Sequence, residues 1–280
     1  MNKKVGVIGA GTMGWGIAQV FAGAGYSVAL CDRELSFAEK GKATMAASLK
    51  KLVDREKISE DTANEILNNV TPCEIENIPT CELVIEAVFE NMEVKKELFQ
   101  KLEKLQSEQT IFATNTSALS ISEIAGCLND PTRFVGMHFF NPATMMKLVE
   151  VISGAHTNPD VVNKIIAISE EIGKTPVKVN EAAGFVVNRI LVPMVNEAVG
   201  ILAEGVASAE DIDTAMKLGA NHPLGPLALG DLVGLDVCLA IMETLQKETG
   251  EDKYRPHPLL RKMVRAGMLG RKTKKGFFEY

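Results

Sequence analysis

From Lys3 to about Asn180, short apolar runs alternate with amphipathic stretches. Strand-like runs fall at Val5–Ile8, Ser27–Cys31, Leu83–Ala87, Thr110–Ala113, Phe134–Met137 and Leu148–Ile152, with helical stretches between most of them, as at Met92–Leu105 and Asp160–Ile172. This alternation predicts an α/β fold of Rossmann type: a doubly wound, mostly parallel sheet with helices on both faces. A last short run, Pro176–Val179, is expected to close an edge of the sheet.

After Glu181 the pattern changes. Val186–Leu202, Glu210–Leu218, Leu235–Thr249 and Leu259–Ala266 carry helical periodicity, and Ser208-Ala209-Glu210-Asp211 reads as a capping box opening the second of them. The chain is therefore expected to divide near Ala182–Gly184 into residues 1–182, holding the sheet, and residues 183–280, an all-α C-terminal domain. The stretch Phe185–Leu202 is apolar almost all round, and a helix without a polar face is covered on every side. In a domain of about 100 residues, a second subunit is the expected cover, which predicts a homodimer.

Composition narrows the function. Apolar residues make up 46% of the 280, enough for a large core. Lys and Arg number 30 against 36 Asp and Glu, a net charge of −6, which argues against nucleic acid as the main partner. The five cysteines are scattered with no CxxC pair, so neither a zinc site nor a disulfide framework is expected, and a reducing cytoplasm fits. No signal-peptide core and no apolar run of about 18 residues occurs, so a soluble protein without a membrane partner is expected.

The first motif with chemistry is Gly9-Ala10-Gly11-Thr12-Met13-Gly14, a GxGxxG that follows strand Val5–Ile8 and opens a helix. Gly9 permits the tight turn, Gly11 lets the backbone approach a pyrophosphate, and Gly14 lets helix and strand pack closely. The phosphates would sit at the helix start, on Thr12 and Met13, where N–H groups and the dipole favour anions. Asp32 ends the second strand, 18 residues after Gly14, where an acid accepts hydrogen bonds from the adenosine ribose. It would repel the extra phosphate of NADP, so NAD is the expected cofactor.

Three further polar segments fall where the carboxyl edge of the sheet should lie: Asn115-Thr116-Ser117, His138-Phe139-Phe140-Asn141-Pro142, and Glu150 within Lys147–Ile152. Strand alternation puts Glu150 on the face of Leu148 and Ile152, and a carboxylate there needs a partner. His138 is the candidate.

Together these segments resemble the 3-hydroxyacyl-CoA dehydrogenase family, as do Val84-Ile85-Glu86-Ala87-Val88-Phe89-Glu90-Asn91, Gly184-Phe185-Val186-Val187-Asn188-Arg189 and the tail Gly270-Arg271-Lys272-Thr273 with Gly276-Phe277-Phe278. The resemblance spans nearly the whole chain. It implies an NAD-dependent enzyme interconverting L-3-hydroxyacyl-CoA and 3-ketoacyl-CoA by hydride transfer, with residues 183–280 serving substrate binding and dimerisation. His138 would be the general acid/base and Glu150 its orienting partner. Ser117 and Asn188 would hydrogen-bond the reacting oxygen and the thioester end, which sets the site in the cleft between the two domains. Glu90, Lys95, Asn115 and Asn141 would line the nicotinamide-ribose side, with Lys272 reaching in from the tail. Ser48 matches a coenzyme A contact whose lysine counterpart is Arg55 here, and Lys51 on the same basic helix is a further candidate for the coenzyme's phosphates. No metal is implied. The lack of a hydratase-like extension or presequence predicts a stand-alone enzyme, with short thioesters such as 3-hydroxybutyryl-CoA as substrate. A gulonate-oxidising, lens crystallin-like branch shares much of the pattern, which makes a free hydroxy acid the alternative substrate.

Overall fold

The computed structural model describes residues 3–280 and divides into two compact units after Glu181. The first unit runs β1 (Lys4–Ile8), α1 (Thr12–Gly23), β2 (Ser27–Asp32), α2 (Leu35–Asp54), α3 (Glu60–Asn68), β3 (Val70–Glu74), β4 (Leu83–Glu86), α4 (Met92–Leu105), β5 (Ile111–Thr114), α5 (Ile121–Ala125), β6 (Phe134–Phe139), β7 (Leu148–Ser153), α6 (Pro159–Glu171) and β8 (Thr175–Asn180). The eight strands form one sheet in the order β3-β2-β1-β4-β5-β6-β7-β8, parallel except for the β6–β7 pair. Its central strands are buried on both faces, with Val5, Val7, Ile8, Leu83, Val84 and Ile85 fully enclosed, which is why they read as unbroken apolar runs. Helix starts follow local chemistry: Asn91 caps α4 by accepting from the Val94 N–H at 3.1 Å, and Asn158 with Pro159 opens α6.

β8 occupies one edge as expected. The other edge, β3, escaped the apolar pattern because it is short, half-exposed and contains Pro72, a residue tolerated in a sheet at an edge. β3 also overturns the reading of the cysteines. Its register with β2 sets Cys31 opposite Cys73, Cα atoms 4.8 Å apart, and the two are joined as a disulfide. They lie 42 residues apart in the chain, and only strand pairing makes them neighbours. The inference of a reducing compartment from unpaired cysteines loses that support; Cys81, Cys127 and Cys238 are free thiols.

The second unit is helical: α7 (Val187–Ala203), α8 (Ala209–Gly219), α9 (Pro226–Val233), α10 (Leu235–Thr249) and α11 (Pro258–Arg265). Ser208 caps α8, its hydroxyl accepting from the Asp211 N–H at 3.1 Å. Buried Asp231 gathers the C-terminal tail, accepting from the Phe277 and Phe278 N–H groups and the Tyr280 hydroxyl. α7 buries Val192, Val195, Ala198 and Val199, while Val186 and Ile190 are 45% and 69% exposed. The chain alone therefore covers one face of this helix and not all of it. Among the described residues, no helix is long and apolar enough to cross a membrane, and no cluster of His, Cys, Asp or Glu is arranged to hold a metal ion.

Candidate active site

The sheet order reverses direction between β1 and β4, and the loops after these two strands border the crevice where such sheets take ligands. Gly9 has φ +95°, a conformation that other residues adopt only under strain, and a Cβ there would lie 2.6 Å from the Ala87 carbonyl oxygen in the loop after β4, too close for any side chain. A Cβ on Gly14 would overlap the Gly9 carbonyl oxygen. Gly11 is different. Its φ of −68° suits any residue, and a Cβ added there would meet no protein atom within 4 Å. Neither backbone geometry nor packing asks for glycine at 11, and the backbone there is open to approach from outside. Asp32, at the end of β2, accepts from the Ala10 N–H through Oδ2 and from the Arg33 N–H through Oδ1, both at 2.8 Å. Each oxygen keeps a second lone pair for a sugar hydroxyl. The glycine turn and the acid thus fit a dinucleotide.

On the β4 side, a charge cluster that is buried at Glu86 and Lys95 and exposed at Glu90 supports the loop after β5. Glu86 is fully enclosed at the end of β4 and accepts from Lys95 Nζ at 2.6 Å, from the Val88 N–H at 2.7 Å and from the Thr114 hydroxyl at 2.7 Å. Lys95 Nζ also lies 3.3 Å from Glu90 Oε2. Glu90 Oε1 in turn accepts from the Thr116 hydroxyl at 2.6 Å and from the Ser117 N–H and hydroxyl at 2.8 and 3.1 Å. Burial pushes the Glu86 carboxyl above its ordinary range against the pull of Lys95. Burial acts the same way on Glu90, but Lys95 and the Thr116 and Ser117 hydrogen bonds outweigh it and hold that carboxyl low. Lys95, read from sequence as lining a ribose, is thus 1% exposed and engaged by two carboxylates.

His138 and Glu150 are direct cross-strand partners in the antiparallel β6–β7 pair. His138 Nδ1 lies 2.8 Å from Glu150 Oε2, and the two side chains are 6% and 1% exposed. The imidazole also packs against the Phe140 ring, centroids 4.5 Å apart. The Asn115 side-chain oxygen accepts from the Phe139 N–H at 2.8 Å, tying the end of β5 to the residue after the histidine. Asn141 is exposed in the loop that follows.

Residues 4–182 match the model of the 3-hydroxyacyl-CoA dehydrogenase NAD binding domain, and residues 184–280 match that of the 3-hydroxyacyl-CoA dehydrogenase C-terminal domain. The chain belongs to the 3-hydroxyacyl-CoA dehydrogenase family. It is 55% identical to a 3-hydroxybutyryl-CoA dehydrogenase of Clostridioides difficile, over 99% of both chains. A probable 3-hydroxybutyryl-CoA dehydrogenase of Bacillus subtilis is 47% identical over 99% of this chain and 97% of its own. Among solved structures, (S)-3-hydroxybutyryl-CoA dehydrogenase from Ralstonia eutropha superposes with a TM-score of 0.96 at 45% identity, covering 100% of this chain and 99% of that one. The chain is accordingly an NAD-dependent oxidoreductase.

The remaining residues carried over from the family pattern lie as follows. Ser48, Lys51 and Arg55 are spaced to share one face of α2 and its C-cap, with Ser48 half-buried and the two cations exposed. Lys272, in the second unit, donates to Asp236 Oδ2 at 2.6 Å. Asn188 is half-buried in the first turn of α7. Two participants in the β4-side cluster, Glu86 and Thr114, were given no role from sequence. The signal for Glu86 was available: a carboxylate ending an apolar strand run needs a partner, the same reasoning that linked Glu150 to His138.

Proposed function

We propose that the chain interconverts L-3-hydroxybutyryl-CoA and acetoacetyl-CoA, with His138 and Glu150 as its acid/base dyad. The observation that carries this reading is the buried 2.8 Å contact between His138 Nδ1 and Glu150. With Nδ1 held by the carboxylate, the imidazole exchanges the 3-hydroxyl proton at Nε2, and Glu150 stabilises the imidazolium that results. NAD, when bound, supplies the hydride acceptor. Asp32 takes the adenosine ribose, and the N–H groups of Thr12 and Met13 take the phosphates. Ser117, fixed by Glu90, and Asn188 hold the substrate oxygens in attack geometry. Ser48, Lys51 and Arg55 receive the coenzyme A moiety. A free hydroxy acid would leave those cations without a ligand, and the relatives' names favour the thioester.

A steady-state assay tests this. Acetoacetyl-CoA with NADH should be the efficient pair, NADPH a poorer donor because Asp32 opposes its phosphate, and free acetoacetate or gulonate poor substrates. Turnover of free acids at the thioester's efficiency would overturn the substrate reading.

A homodimer is proposed with it, supported by the exposed Val186 at the N-cap of α7 and the exposed Ile190 in its first turn. Light scattering should give about twice the 30.3 kDa chain mass. Ile190→Glu should move the population toward the monomer, and a wild-type monomer at micromolar concentration would refute the assembly.

A further inference from the structure

The segment that carries Ser117 is held at both ends by carboxyl groups that come from elsewhere in the chain. At one end Glu90 Oε1 accepts from Thr116, from Ser117 and, at 3.2 Å, from the Ala118 N–H. At the other end stands half-buried Glu181, whose Oε1 accepts from the Ser120 hydroxyl at 2.6 Å. Both Glu181 oxygens accept from the Ser122 N–H, at 3.1 and 3.2 Å, and Oε2 also accepts from the Ser122 hydroxyl. That hydroxyl oxygen in turn accepts from the Ala155 N–H, just past the end of β7, at 2.7 Å. Only Leu119 lies between the two anchored stretches, and its N–H donates to the Thr116 hydroxyl at 3.0 Å.

α5, which follows directly, does not hold this place by itself. It has five residues, little more than one turn, and so short a helix does not repay its nucleation in water. Its first N–H groups need acceptors from outside the helix. Ser120 supplies one, accepting from the Glu123 N–H at 3.0 Å, and Glu181 supplies the other at Ser122. Ile121 and Ile124 are fully buried, but apolar burial is non-directional and leaves the start of the helix to the hydrogen bonds. Glu181 is itself fixed. It is the last residue of the first unit, and its N–H donates to the Ser153 carbonyl at 3.0 Å.

We propose that Glu181 is a positioning residue for the hydride-transfer reaction: it fixes the start of α5 and, through it, the Ser117 hydroxyl that meets the substrate oxygen. This rests on the reading of Ser117 as a substrate ligand given above.

The test is a double-mutant cycle. Glu181→Ala, Ser117→Ala and the double variant are compared with the wild type by kcat/KM for acetoacetyl-CoA, by NADH titration and by thermal melting. Glu181→Ala should lower kcat/KM about 10- to 100-fold, the range for a small misplacement caused away from the reacting atoms. Its NADH affinity should stay near the wild-type value, because Glu90 still holds residues 116–118 and Asp32 keeps its own contacts. Because Glu181 acts through Ser117, the double variant should lie within about 2-fold of Ser117→Ala alone. A residue that only stabilised the fold would lower kcat/KM by the same factor in both backgrounds. That additive result, or an unchanged kcat/KM in Glu181→Ala, would overturn the proposal and leave the role of Ser117 standing. Normal activity in Ser117→Ala would overturn the reading of Ser117 and this proposal with it. If Glu181→Ala melts below the assay temperature, Glu181→Gln takes its place in the cycle under the same criteria. It keeps one acceptor oxygen for the Ser122 N–H, so its loss should be smaller.

Discussion

His138→Gln should lower kcat for acetoacetyl-CoA reduction about 10²–10⁴-fold, the usual contribution of a general acid/base. The affinity for NADH should stay near the wild-type value, because the imidazole is held by Glu150 and Phe140 and belongs to neither the glycine turn nor the Asp32 region. Glu150→Gln should also depress kcat, since an amide in contact with Nδ1 cannot stabilise an imidazolium. Both residues are buried, so melting curves must accompany the kinetics. The dyad is wrong if a folded variant of either residue turns over normally.

A second large effect separates two glycines of one motif. Gly14→Ala should destabilise the fold, because the new methyl overlaps the Gly9 carbonyl oxygen and backbone must move; overpacking of this kind costs about 1–3 kcal/mol or more. Gly11→Ala should leave the melting temperature close to wild type, since φ is −68° and the methyl meets no protein atom. It should nonetheless weaken NADH about 10- to 100-fold, the value of one hydrogen bond from a backbone N–H to a charged phosphate. Calorimetry and NADH titration on the two variants decide it. Unchanged NADH affinity in Gly11→Ala would remove the pyrophosphate from this turn, whatever the fate of Gly14.

Much of the architecture was legible in the chain because its evidence is local. A buried parallel strand must be apolar on both faces, so β1, β2, β4, β5, β6 and β7 stand out as runs without reference to neighbours. The glycine turn and Asp32 were legible for a related reason: backbone conformation and the reach of a short strand–helix unit tie them to fixed spacings. Glu150 pointed to a partner because a carboxylate on an apolar face cannot be left alone, and His138 was the nearest candidate.

What tertiary structure decided depends on which strands become neighbours. β3 and the Cys31–Cys73 disulfide exist through register, between segments with no shared pattern in sequence. The family resemblance puts Lys95 on the nicotinamide-ribose side, and its burial follows from Glu86 at the end of β4 and Glu90 in the loop beyond it, which converge on its ammonium. Asn115 could be listed beside His138 from sequence, but its hydrogen bond to the Phe139 N–H follows from β5 lying against β6. Local sequence sets the conformations a segment can adopt and the groups that need partners. Which distant group answers each need is decided by the sheet, because desolvation is relieved only by atoms that the assembled fold brings within hydrogen-bond reach.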